Sequence, residues 1–280
     1  KRNNRIKFDI FSYFFSSKET INTNIKNLNK IYRKYNKKFK DIKIALFNSQ
    51  TSIQNKEFYF LIDHENIPSK KINGGHAHQD LSSFILDFKE KVIVNSGTYS
   101  YFDNKFRDIY RSQEYHNLPT IENLNYGLLS KKFYVKKYPK VDFTRNLKDS
   151  ELIIKILIKN LYNMKLKEID QNIFIKREIR FNLISRLFII KDSYESENNY
   201  VLNSHIHFHS NIDIEPNDEN IINIKNKENK IIGLIYLRSK FSYKIKNYLY
   251  SERYGEKKIS KKLIFISQNK SDIEFQIKKL

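Results

Sequence analysis

From about residue 43 onward, apolar and polar residues alternate in short runs. EFYFLIDHE, SSFILDFKE, KVIVNSG, ELIIKILIKN, FIKREIRF and SRLFIIKDSY read as strands, as do YVLNSHIHFHS, NIINIKN, KIIGLIYLRS, FSYKIKNYLY, KKLIFIS and IEFQIKK. A period of two with one apolar face marks a half-buried strand. Many such runs separated by polar turns predict an all-β fold, a large antiparallel β-sandwich, rather than strands alternating with crossover helices. Residues 19–40 have a different texture. Ile21, Ile25, Leu28, Ile31 and Tyr32 recur at spacings of three and four, which predicts a helix with a basic outer face. The expected division is a short helical segment over residues 1–42 and one sandwich domain over 43–280.

Composition narrows this picture only slightly. At 280 residues, 40% hydrophobic and 30% charged, the chain can bury a substantial core and is not of the disordered class. Gly (6) and Pro (4) are scarce, so the turns must be built from Asn, Asp, Ser and Lys. No run of about 18 apolar residues occurs, so no membrane span is expected. The opening KRNNRIKFDIFSYFF is interrupted by Lys7 and Asp9 and does not read as a signal peptide. A first residue of Lys1 rather than Met is read as the mark of a fragment or a processed chain. With no cysteine, any metal must sit on His, Asp or Asn.

The net charge of +21 suits a polyanionic partner: nucleic acid, anionic lipid or acidic polysaccharide. Coding bias also explains it, because the chain holds 32 Asn and two Ala. The runs RKYNKKFKDIK and SKKFYVKKYPK interleave lysine with aromatics. No nucleic-acid-binding motif accompanies them, so nucleic acid is not the expected partner.

One segment stands apart, GGHAHQD at residues 74–80. In an extended chain, His76 and His78 share one face, with Ala77 opposite. After one strand comes NSGTYSY at residues 95–101, then Arg111-Ser112, then His116-Asn117. His205, His207 and His209 alternate along SHIHFHS and share one face of a strand, either a polar sheet face or a three-histidine metal site. His64 reads as a surface residue at a strand end.

This ordered series resembles the heparinase II/III-like family. That family's sandwich domain carries a glycine-led His-x-His-x-Asp, an Asp-x-Gly-Thr-Tyr-Ser-Tyr strand end and an Arg-Ser…His-Asn segment. KREIRFNLISRLFIIKDSYES resembles the family's Arg-bearing strand and Asp-Ser hairpin, and SERYGEKKISKKLIFIS its late Tyr-Gly hairpin. The resemblance covers residues 43–280. It implies a polysaccharide lyase of the bacterial periplasm or cell envelope, acting on uronate-containing acidic polysaccharide by β-elimination. It also implies a helical toroid that completes the active site, supplied upstream or by another chain. Residues 1–42 are then a linker or remnant of that helical domain, and the isolated chain is expected to be inactive.

The resemblance further implies that His76 is the catalytic histidine of the sandwich side, and that zinc is held by His78, His116 and the residue at position 95. The family has Asp there and this chain has Asn95, a weaker neutral ligand that puts the zinc in question. Arg111 is a candidate for pairing with an acidic sugar through its planar fork, or for a structural salt bridge. Tyr99 and Tyr101 are candidate substrate contacts, or packing residues beside the strand end. The loss of the Asp favours a second class of reading, a non-catalytic glycan-binding or scaffold relative in bacterial surface-polysaccharide metabolism.

Overall fold

The computed structural model describes residues 41–47, 50–64, 77–130, 134–238, 241–268 and 271–280. The helix expected over 19–40 lies outside the described residues, as does His76. The described chain is almost entirely strand, and every strand pair is antiparallel. An eight-stranded sheet runs in the order Lys140–Lys148, Glu151–Lys159, Phe174–Asn182, Leu187–Glu195, Ile273–Lys279, Ile231–Leu237, Ile221–Lys225 and Asp213–Asp218. A seven-stranded sheet is centred on Pro119–Ile121, Leu202–His207 and Lys258–Ser267, and a five-stranded sheet runs from Lys43–Leu46 to Lys91–Ile93.

The two smaller sheets make one layer. Ile93 bridges to Phe208, Val94 donates to the His207 carbonyl at 3.0 Å, and His209 donates to the Val92 carbonyl at 3.0 Å. Aromatic contacts then close this layer onto the eight-stranded sheet. Phe60 stacks on Phe188 with ring centroids 4.9 Å apart, Phe58 meets Phe181 at 5.4 Å, and Phe265 meets Phe275 at 4.6 Å. The architecture is the antiparallel β-sandwich expected from the alternation.

Alternation decides which side chains enter the core. Leu152, Ile154, Ile156 and Ile158 point inward from ELIIKILIK, and Ile175, Ile179 and Phe181 from FIKREIRFN. Each such side chain contributes about 1.5–3 kcal/mol by leaving water. The turns use the expected residues. Asn182 accepts from the backbone N–H groups of Ile184 (3.0 Å) and Ser185 (2.9 Å), and Asn226 from Glu228 (3.1 Å) and Lys230 (3.0 Å). Lys89, Asn123, Asn160, Lys167, Arg186 and Asn229 take the left-handed backbone conformation that glycine otherwise fills.

Two residues break the apolar inner face by design of the pattern. Arg177 and Asp192 sit directly opposite each other on adjacent strands, both at inward positions and both buried. Arg177 Nε donates to Asp192 Oδ1 and Nη2 to Oδ2, each at 2.7 Å. Arg177 Nη1 also donates to the carbonyls of Ser82 (2.8 Å) and Asn117 (2.6 Å). Ser204 Oγ donates to Asp192 at 2.6 Å.

His64 differs from its expected surface position. It is fully buried, its ring 4.1 Å from that of Phe143 and its Nε2 3.1 Å from Thr51 Oγ1. The polar run around it suggested a turn, but Phe143 on the neighbouring edge strand covers it.

Replacing Arg177 with Met should leave the Asp192 carboxylate buried without its partner and lower unfolding stability by about 3–5 kcal/mol. Urea denaturation measures this, and a loss under about 1 kcal/mol would show that the pair carries no such weight.

Candidate metal centre

The segment at residues 77–80 is an irregular stretch with a bend at Gln79, held by contacts to Arg111, Gln113 and Gly127. The Ala77 carbonyl accepts from Arg111 Nε at 3.0 Å, and Gln79 N–H donates to the Arg111 carbonyl at 2.9 Å. The Gln79 side chain accepts from Gln113 N–H at 3.2 Å and donates to the Gly127 carbonyl. With Ala77 and Gln79 tied to Arg111 and Gln113, His78 and Asp80 come together near His116.

The brace behind this segment is a short helix that the alternation did not foreshadow, α1, Asn104–Arg111. Asp103 caps it by accepting from Phe106 N–H at 3.2 Å. Arg107 and Arg111 are one turn apart and both fully buried. Arg111 thus acts on the backbone that carries His78. Arg107 Nη1 lies 3.4 Å from His78 Nε2, and its guanidinium sits 4.9 Å from the Tyr101 ring centroid. Burial, and then the neighbouring Arg111 charge, lower the Arg107 pKa to about 10, which still leaves it a cation at neutral pH.

After α1, a 3-10 turn at Gln113–Tyr115 delivers His116. Its imidazole is fully buried, and neither ring nitrogen makes a well-aligned hydrogen bond among the described residues, although the Tyr110 carbonyl lies close enough to act on the ring. Burial lowers its pKa, partly offset by the Asp80 carboxylate and the Tyr110 carbonyl, so the ring is neutral. The His78 and His116 ring centroids are 5.2 Å apart. One ligand atom from each of His78, Asp80 and His116 lies within 4.8 Å of the other two.

A buried polar group left without a partner costs about 1–3 kcal/mol. Two imidazole nitrogens and a carboxylate oxygen within 4.8 Å of one another form a donor set that could hold a divalent metal such as zinc. The residues present therefore fit a metal.

The loop at residues 95–101 borders this group. Thr98 Oγ1 is 3.4 Å from His78 Nε2, while Asn95 Oδ1 faces the N–H of its own loop's Gly97 at 3.5 Å. Gly97 has φ +84°, and a Cβ there would lie 1.9 Å from the Ser251 carbonyl oxygen, so only glycine admits this approach. Ser251 N–H donates to the Ser96 carbonyl at 3.0 Å and Gly255 N–H to the Tyr99 carbonyl at 2.9 Å, which dock the late hairpin on the loop.

Tyr99 packs against Phe106 at 5.1 Å, with the Lys257 ammonium 4.3 Å from its ring centroid. Tyr101 stacks on Tyr254 at 5.7 Å. Both tyrosines are half-buried at the surface beside the histidines.

The histidines of Leu202–His207 and beyond have separate partners. His205 Nε2 is 2.9 Å from Thr120 Oγ1, and His207 lies between Asn117 Oδ1 and the Glu114 carbonyl, each at 3.1 Å. His209 Nδ1 accepts from Asn211 N–H at 3.1 Å. Among the described residues none of them joins a metal-ligand group of three.

Sequence reading passed over Asp80 and Arg107. For Asp80 the signal was present, because the spacing that pairs His76 with His78 extends to residue 80. For Arg107 it was not, since helix α1 and the burial of its inner side follow from tertiary packing.

Buried neutral histidines have a pH consequence. Burial, helped by nearby cationic Arg145 and Lys262 respectively, lowers the pKa values of His64 and His205 to about 3. Unfolded histidine titrates near 6.5. Below that pH the unfolded chain binds protons that the folded chain refuses, so stability falls by about 1.4 kcal/mol per pH unit for each histidine. The urea midpoint should be clearly lower at pH 5 than at pH 7, and an unchanged or higher midpoint at pH 5 would contradict the assignment.

With the geometry established, comparison with known proteins is direct. The sequence matches the family described as heparinase II/III-like, C-terminal, over residues 33–278. No curated protein matches it. The fold is similar to the heparan sulfate lyase HepC from Pedobacter heparinus, with a TM-score of 0.62 and 12% identity over 85% of this chain and 34% of that one. It is also similar to a heparinase III (TM-score 0.62, 12% identity, 86% and 36% covered). A further heparinase III matches with a TM-score of 0.60 and 15% identity, over 91% of this chain and 42% of that one. The chain thus spans about a third to two-fifths of these structures, and likeness at such identities concerns the fold.

Proposed function

The chain belongs to the heparinase II/III-like family, and from that premise we propose that it is the sandwich half of a polysaccharide lyase acting on an acidic, uronate-containing polysaccharide. The family match over residues 33–278 carries this reading. It gains support from the buried histidine pair beside a loop of half-buried tyrosines. A net charge of +21 favours a polyanionic substrate by long-range attraction. Among the described residues no helix is long and apolar enough to cross a membrane. A place in the bacterial periplasm or envelope, where such polysaccharides occur, belongs to the same proposal.

The reaction is β-elimination. A base removes the proton at C5 of the uronate, a C4–C5 double bond forms, and the C4–O4 bond breaks as an acid protonates O4. Charge that develops on the uronate carboxylate needs neutralising donors. His76 is assigned to this proton chemistry from the sandwich side. The remaining acid–base and neutralising groups are assigned to a helical toroid packed against this domain. Tyr99 and Tyr101 are assigned to the substrate-facing surface, and Arg111 to bracing the His78 segment.

Zinc, where bound, supplies a cross-link between the His78 segment and the segment following α1. His78 and His116 would hold it, and position 95, with its neutral Asn95, is the third position that the family pattern offers. The scaffold reading rests on that one replacement of Asp by Asn.

The test uses the protein that carries the helical toroid together with this domain. Digestion of alginate and heparan sulfate is followed by absorbance of the unsaturated uronate product. Turnover is expected, and His76→Ala should lower kcat by about 100-fold or more while leaving the thermal midpoint nearly unchanged. Binding of the polysaccharide without any turnover would replace this reading with the scaffold one.

A further inference from the structure

We infer that Asp80 is the anionic ligand of the metal centre, and that Asn95 stands outside the ligand set. The inference rests on the metal reading above and decides which side chain completes it.

Geometry comes first. Three ligand atoms no more than 4.8 Å apart can share a centre at most about 2.8 Å from each. Zinc–nitrogen and zinc–oxygen bonds of about 2.0–2.2 Å are then reached by inward shifts of well under 1 Å. Side-chain rotation supplies such a shift without moving the backbone, which is held through Gln79 to Gln113 and Gly127. The backbone at Asp80 is fixed as well, its carbonyl accepting from Ser83 N–H at 2.9 Å.

Charge is the second argument. His116 is fully buried, and the Arg107 guanidinium lies 3.4 Å from His78. A dication placed among neutral donors beside an arginine is poorly compensated in a desolvated site. Asp80 is the one carboxylate in the converging group.

Asn95 has a competing role. Its side-chain oxygen is turned toward the N–H of Gly97, the residue whose positive-φ turn is wedged under Ser251. In this chain, therefore, the negative charge of the centre resides at position 80, and an amide at position 95 does not disable the site. Ligation by His78, Asp80 and His116 ties the segment at residues 77–80 to the segment after α1, two ligands from the first and one from the second.

The experiment measures zinc bound after equilibration and dialysis, and the visible spectrum of the cobalt(II)-substituted chain. Four proteins are compared: the unaltered chain, Asp80→Asn, Asn95→Ala, and the double variant Asp80→Asn/Asn95→Asp. About one zinc per chain is expected for the unaltered chain and for Asn95→Ala, with the same cobalt spectrum in both. Asp80→Asn should bind zinc about 100-fold more weakly, and the double variant should remain as weak, because position 95 lies outside the ligand set.

Undiminished affinity in Asp80→Asn would overturn the assignment. So would loss of zinc in Asn95→Ala, a result that decides the question even if Asp80→Asn fails to fold. An unaltered chain that binds neither metal removes the metal reading itself, and this assignment with it. Retained zinc in the unaltered chain with the wrong variant pattern removes the assignment alone.

Discussion

The Arg177–Asp192 pair in the middle of the eight-stranded sheet is the constraint on which the site depends. A guanidinium and a carboxylate removed from water are costly, and their mutual attraction compensates only when every remaining donor and acceptor is satisfied. Here the fork of Arg177 meets the carboxylate with two parallel bonds. Its third nitrogen donates to the carbonyls of Ser82 and Asn117. Those carbonyls belong to the two segments that carry Asp80 and His116. The position of each potential ligand is therefore referred to one rigid pair in the opposite layer of the sandwich.

Asn117 extends the clasp. Its side-chain amide donates to the carbonyls of Phe84 and Val94, and its oxygen accepts from His207 N–H. Three strands are thereby pinned around the residue next to His116. Burial that is thorough enough to hold the segment also desolvates its imidazole, which is how a ring without a well-aligned hydrogen bond comes to lie beside Asp80. A metal bound here would take the one lone pair that the neutral imidazole carries. The same polar interior makes the fold sensitive to acid, since several histidines are held uncharged.

Much of this was legible in the sequence. Alternation in ELIIKILIK, FIKREIRF and SRLFIIKDSY specifies both the strands and the faces they bury, because a period of two leaves no freedom in which side chain points inward. Scarcity of glycine pointed to turns closed by Asn and Lys, and such turns are found at Asn182 and Asn226. The ordered motifs at residues 74–80, 95–101 and 111–117 carried the family. Helix α1 was not legible, being eight residues long with few apolar positions and depending on its Asp103 cap and on packing. Nor was the burial of His64, which a residue from a distant strand creates. The pairing of Arg177 with Asp192 needed the register, which a hydrophobic pattern alone does not supply.

The central claim is that the clasp brings His78 and His116 together as one metal centre. Anomalous diffraction at the zinc edge, from crystals of the chain grown with zinc, tests it most directly. The expected result is an anomalous peak between the two imidazoles, at about 2.0–2.1 Å from one nitrogen of each. Well-ordered His78 and His116 rings with no peak between them, and with water or protein groups on their nitrogens, would contradict it.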